Sequence, residues 1–311
     1  MNDFFRKLIK VLNVFITQGR GVNIKFLFGF LFFLACSKPI AKEDASDALF
    51  KKGESLGKLD HRLVEASGLV ASVNNPGYLW SHNDGENPAE VFLIDQDADI
   101  KLVCKFKHIR NRDWEDIAVG RGSEVGKTYV YVGDIGDNKA LFPVKLIYRF
   151  QEPLLSKEEE IVISDYDTLV VKLPDGVRDS EALTIDPLSG DMFLFSKRED
   201  SIRVYQMHYP FDQDTLLPER IAILPFHNIN AADISMDGSE VLIKDYDNIY
   251  YWRREGDELI DDLLKKRPIE LPYDKGPQDE AIAWALDGSG FYVVGETVGG
   301  EKGKLVFHKR K

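Results

Sequence analysis

The residues of this chain best suited to chemistry are carboxylates that recur ahead of short apolar runs. Glu65-Ala-Ser-Gly-Leu69, Glu115-Asp116-Ile-Ala118, Glu181-Ala-Leu-Thr-Ile185 and Glu280-Ala-Ile-Ala283 share one form, and Ala232-Asp233-Ile-Ser235 repeats it without the glutamate. A second polar set follows the next apolar run of each unit: His82-Asn83-Asp84, Asp134-Ile-Gly-Asp137-Asn138, Lys197, Lys244 and Glu296. If the fold brings both sets together, their carboxylates repel one another unless something cationic lies between them. Three arrangements satisfy that condition. A bound ion is one, and oxygen donors alone suit Ca2+ or Mg2+ rather than zinc or copper. Lys197 and Lys244 are the second, pairing with the carboxylates or with an anionic ligand. A cationic ligand is the third; the plainer alternative is that each glutamate only caps its own unit by accepting backbone N–H bonds or a lysine. His82, two residues from Asp84, is the candidate general base, with a solvated loop histidine as the plainer reading. Gly120 to Thr128 ends like a phosphate-binding loop, but Arg121 stands where glycine is needed and a strand pattern follows. It reads as a hairpin turn.

The elements that must position these residues are strands. The five units begin 50, 66, 51 and 48 residues apart. Each has a short apolar strand, a turn signal such as Asn75-Pro-Gly77, Asp186-Pro-Leu-Ser-Gly190 or Leu286-Asp-Gly288, and a second apolar strand such as Tyr129–Val132 or Met192–Phe195. Third strands follow, including Val91–Ile94 and Ile249–Trp252, and no long helical period competes. A strand-rich unit recurring about every 50 residues predicts an all-β propeller of four-stranded blades. Five blades are expected over 54–311, with Glu54–Leu59 supplying the last strand and closing the ring. The 66-residue spacing leaves room for a hairpin in Ile161–Leu173, and so for a sixth blade. In such a ring, the starts of the innermost strands and the loops after the second strands meet at one end of the central channel. The four tryptophans, Trp80, Trp114, Trp252 and Trp284, fall at core positions, although Trp114 directly precedes Glu115.

Composition sets the remaining bounds. The chain has 311 residues, 44% hydrophobic and 30% charged, with 40 Lys+Arg against 52 Asp+Glu. This is a folded chain, neither a disordered polymer nor a polytopic membrane protein. A net charge of −12 argues against a nucleic-acid partner, which requires clustered cations to meet phosphates. Two cysteines exclude a disulfide scaffold and a four-thiolate zinc site. Cys104, within Leu102-Val-Cys-Lys-Phe106, reads as a small buried apolar residue. At the N-terminus, Arg6, Lys7, Lys10, Arg20 and Lys25 lead into the apolar run Phe26–Ala35. Ten residues are about half the length needed to span a bilayer, which suits a secretory signal.

Two resemblances follow from these residues. Phe33-Leu-Ala-Cys36 is similar to the lipobox of bacterial lipoproteins, with Phe33 where leucine is usual. That resemblance implies a signal peptide over 1–35, lipidation of Cys36, a polar tether over 36–53, and attachment to the membrane through the lipid. Ser37 after the cysteine implies sorting to the outer membrane, on its periplasmic or surface side. The motifs Glu65-Ala-Ser-Gly-Leu69, Trp80-x-His-Asn-Asp84, Asp113-Trp-Glu-Asp-Ile-Ala118 and Val132-Gly-Asp-Ile-Gly-Asp-Asn138 resemble those of bacterial secreted propellers of the esterase-like phytase, gluconolactonase-like and SdiA-regulated types. In the gluconolactonase-like group a divalent metal sits in the channel mouth. The resemblance would give ligand roles to Glu65, Asn83 and Asp84, with Asp134 or Asp137 from the next blade. Two functions compete. One is a lipid-anchored propeller whose acidic mouth binds a small molecule, glycan or protein; the other is a metal-dependent hydrolase of an ester, lactone or phosphoester.

Overall fold

The computed structural model describes residues 49–311. It contains five sheets, antiparallel apart from one added outer strand, arranged as the blades of a closed ring. Strand β1 (Glu54–Lys58) comes first in the chain but belongs to the last blade. Blade 1 is β2 (Ala66–Ala71), β3 (Leu79–Asn83), β4 (Glu90–Ile94) and β5 (Ile100–Phe106). Blade 2 is β6 (Trp114–Arg121), β7 (Thr128–Asp134), β8 (Lys145–Gln151) and, after β9 (Glu160–Ile163), β10 (Asp167–Val171). Blade 3 is β11 (Ser180–Ile185), β12 (Met192–Ser196), β13 (Ile202–Met207) and β14 (Glu219–Leu224). Blade 4 is β15 (Ala231–Ile234), β16 (Glu240–Lys244), β17 (Ile249–Arg253) and β18 (Ile269–Leu271), with a short helix α1 (Ile260–Leu264) between its last two strands. Blade 5 is β19 (Asp279–Trp284), β20 (Gly290–Gly295), β21 (Lys304–Lys309) and β1.

The innermost strands β2, β6, β11, β15 and β19 touch one another in that order, and β19 returns to β2. The ring is closed by the pairing of β1 with β21, as the sequence led us to expect. The 66-residue spacing does not produce a sixth blade. Its extra residues are divided: β9 adds to blade 1 as a fifth strand, parallel to β5, and β10 is the outer strand of blade 2.

The core explains why the second strands are so uniformly apolar. Five hydrophobic clusters each lie between consecutive blades rather than within one. Along β12, Met192 and Leu194 pack toward blade 2 while Phe193 and Phe195 pack toward blade 4. A strand buried on both faces reads as a continuous apolar run instead of an alternating one. All four tryptophans are buried, Trp114 included. Cys104 is fully buried as well, and burial pushes its thiol up to about 12. The glycine-rich segment before Thr128 is the β6–β7 hairpin turn, with Gly126 at φ +77°.

Of the leader, Cys36 and the tether, all but 49–53 lie outside the described residues. Those five residues require a correction. Phe50 bridges to Arg310 and is buried among Trp284, Phe291 and Tyr251, so the docked chain already includes residues that had been assigned to the tether. Among the described residues, no helix is long and apolar enough to cross a membrane.

Candidate functional site

A bulge in four of the five innermost strands builds the acidic end of the channel. In β6, β11 and β19 the strand register slips by one residue, leaving Glu115, Glu181 and Glu280 without a cross-strand partner. Such bulges re-aim a side chain that the pleat would otherwise place against the sheet. In β2 the bulged residue is Ser67, not Glu65. The apparent alignment of Glu65 with the other three glutamates is therefore displaced by two residues. Glu65 occupies the place that Asp113 has ahead of Glu115, and Asp179 ahead of Glu181. The backbone shows the same equivalence: the carbonyls of Glu65, Asp179 and Gln278 accept the N–H of Asp84, Lys197 and Glu296, and that of Asp113 accepts Gly136 N–H. β15 has no bulge and no glutamate.

Two triads of carboxylates meet at Glu115. Asp84, Asp113 and Glu115 form one, and Glu115, Asp179 and Glu181 the other, each with ligand atoms within 4.8 Å of one another. Glycines make room for this convergence. A Cβ on Gly136 would overlap Glu115 Oε1 and the Asp113 carboxyl, and one on Gly85 would press on Asp113 Oδ1. The electrostatics show the strain of crowding. Burial, then Glu181, Asp84 and Asp113, push Glu115 well above the usual carboxylate range. Burial takes Glu181 to about 8 despite the opposing charge of Lys197, and the Asp179 carboxylate adds to the rise. Asp113 rises to about 6 through burial and its neighbours Asp84, Asp179 and Asp134. Asp84 is raised for the same reasons, with Glu280 and Glu65 nearby. Glu296 reaches about 8 through burial and the charges of Glu280, Asp84 and Glu65.

Lys197 Nζ lies 2.7 Å from Glu181 Oε2 and 3.0 Å from the Tyr246 hydroxyl. Burial opposes its charge, but Glu181 and Tyr246 hold it above the usual lysine range. Lys244 is committed elsewhere, donating to Asn230 Oδ1 at 3.2 Å and to the carbonyls of Asp245 and Asp279. Burial lowers it to about 8. The mouth thus has cations of its own, but among the described residues only Lys197 and the half-exposed Arg198, on Asp179, reach the triads directly.

The remaining expected residues are placed as follows. Glu65 is exposed at the rim and accepts a hydrogen bond from Asn87 at 2.5 Å. Both ends of the Asn83 amide are spent locally, Oδ1 on the Glu65 N–H and Nδ2 on the Arg62 carbonyl. Asp134 pairs with Arg112 at 3.0 Å, and Asp137 accepts the N–H groups of Leu141 and Phe142. Asn138 is exposed. Glu280 accepts Asn230 Nδ2 at 2.9 Å. Asp116 and Asp233 act as clasps between innermost strands. Asp116 accepts Leu183 N–H at 2.9 Å from β11, and Asp233 accepts Trp284 N–H at 2.7 Å from β19. His82 is neither solvated nor in a loop. It lies in β3, fully buried against the Trp114 ring, and desolvation lowers its pKa to about 4, so its imidazole is neutral. Asp113, Asp179 and Tyr246 were missed. The repeated Asp-x-Glu of 113–115 and 179–181 was the available signal for the first two; nothing in the sequence marks Tyr246.

No family model matches the chain, and no curated protein matches its sequence. Solved structures do match. A nidogen/laminin complex aligns at TM-score 0.45 and 12% identity, over 79% of this chain and 84% of that one. The PQQ-bound aldose sugar dehydrogenase of Streptomyces coelicolor gives 0.49 and 10%, over 86% and 100%. A luciferin-regenerating enzyme gives 0.47 and 10%, over 83% and 94%. These neighbours are β-propeller proteins. At such identities and TM-scores the likeness says nothing of the chemistry at the mouth.

Proposed function

We propose that the acidic mouth is a hard divalent-cation site, for Ca2+ or Mg2+, through which the propeller binds a small oxygen-rich ligand. The observation that carries this reading is the convergence of five carboxylates on two triads that share Glu115. The donor set fits such an ion: all ligand atoms are carboxylate oxygens, and Gly85 and Gly136 leave space that any other side chain would fill. Asp84, Asp113, Glu115, Asp179 and Glu181 would hold the ion. It would supply the positive charge that these crowded carboxylates otherwise lack. Around it, Lys197 and Tyr246 offer donors to an anionic or hydroxyl-bearing ligand. For location, the leader and Cys36 support an extracytoplasmic protein attached to the bacterial outer membrane by lipid.

The test is a thermal melt of the chelator-stripped protein, titrated with Ca2+ or Mg2+. A ligand that binds only the folded state adds about 2.7 kcal/mol at a hundredfold excess over its Kd. A saturable rise in Tm that Asp113→Asn abolishes is the expected result; no shift with either ion would overturn the reading.

A second reading, hydrolysis of an ester, lactone or phosphoester, is favoured by Glu296. A carboxyl that keeps its proton up to about 8 at the edge of the mouth is a suitable general acid. Turnover of a p-nitrophenyl ester or phosphoester that is lost in a folded Glu296→Gln variant would support it. Turnover of neither, or turnover insensitive to that change, would remove it.

A further inference from the structure

A cavity of about 370 Å3 lies between blade 5 and the segment 272–278 that leads into β19. It is lined by strands β20, β21 and β1 rather than by the innermost strand starts that build the triads, and it meets the mouth only at Asp279 and Glu296. Its apolar wall consists of Val293, Val306 and Tyr273, together with His308. The His308 ring stacks on Phe291 at 4.6 Å and 7°, and its Nδ1 has no hydrogen-bond partner.

The charges around this cavity divide into committed and free. Lys52 is paired with Asp274 at 2.8 Å, and Lys275 with Asp247. Asp279 accepts the Tyr273 hydroxyl and the Gly276 N–H. Glu296 accepts Gln278 Nε2 at 2.7 Å. That leaves Lys302 and Lys304, both exposed and without a partner among the described residues, against the single carboxylate of Glu301. In a chain of net charge −12, the uncommitted charge here is positive. Specific pockets for small molecules combine an apolar wall with a few placed polar groups in this way.

We infer that the cavity is a binding site for a small organic anion, an apolar body bearing one carboxylate, sulfonate or phosphate group. The body would lie on Val293, Val306 and Tyr273, and the anionic group between Lys302 and Lys304. This site does not depend on the cation reading and can be tested without any divalent ion. The probe is 1-anilinonaphthalene-8-sulfonate, titrated by fluorescence into the full chain in excess chelator. Saturable binding is expected, weakened about tenfold in Lys302→Glu/Lys304→Glu, kept in Lys302→Arg/Lys304→Arg, and lost in Val306→Trp, which fills the space. If Val306→Trp does not fold, the two exposed lysines decide the matter alone. An affinity unchanged by the charge reversal, or displacement of the probe by the cationic dye thioflavin T, would overturn the proposal.

Discussion

At the residue scale, the mouth is a place where like charges are held together against their repulsion. Glu115, Glu181, Asp113 and Glu296 all have folded-state pKa values raised above those of an unfolded chain. A raised carboxyl contributes stability that is fully present below its unfolded pKa and lost as pH rises through the folded value. In chelator, the Tm is therefore expected to fall between about pH 5 and pH 8, and saturating Ca2+ to flatten that fall. Glu115→Gln removes the shared charge while keeping the shape. It should raise the Tm at pH 8 in chelator and abolish the cation shift, a separation of stability from binding that melts with and without Ca2+ would measure. Gly136→Ala keeps every carboxylate but places a methyl against Glu115 and Asp113. A loss of the cation shift in that variant would show that the space, and not only the charge, belongs to the site.

At the element scale, the bulges decide which side chains reach the channel. The strands, their turns and the closing strand were legible because apolar runs and turn residues recur at nearly constant spacing. The bulges were not, since a one-residue slip leaves no mark on composition. Glu65 therefore looked equivalent to Glu115, whereas its true counterpart is Asp113, outside the apolar run that drew attention to each unit. His82 was misjudged for a related reason. A polar residue at the end of a strand looks like loop, but here the strand continues to Asn83 under the cover of Trp114. Phe50 shows the opposite error, an aromatic in polar surroundings that is core. Truncating it should be costly: Phe50→Ala is expected to lose about 3 kcal/mol, read by denaturant unfolding. A cost below about 1 kcal/mol would mean that the docked segment contributes little.

At the scale of the whole molecule, the two ends of the channel differ. One carries the carboxylate triads; the other is lined by Val70, Val119, Ile185, Ile234 and Leu286, with Asp233 between them. Asp116 and Asp233 each hold adjacent innermost strands together, so the mouth is supported from below by groups already satisfied. The triads draw on blades 1, 2 and 3 and so on the packing of three consecutive blades, while the pairing of β1 with β21 shuts the ring on the far side.

That closure has a consequence in time. β1 is near the start of the described chain and its partner β21 is near the end. During synthesis the first strand emerges long before the strand it must pair with, and its neighbours can stack only as an open arc. The arc ends in apolar sheet faces that only the last blade can cover, and β1 has no strand to pair with until β21 is made, a state exposed to association with other chains. The three cores between blades 1 and 4 can form as the chain is made, but the two that involve blade 5 must wait for its last strand.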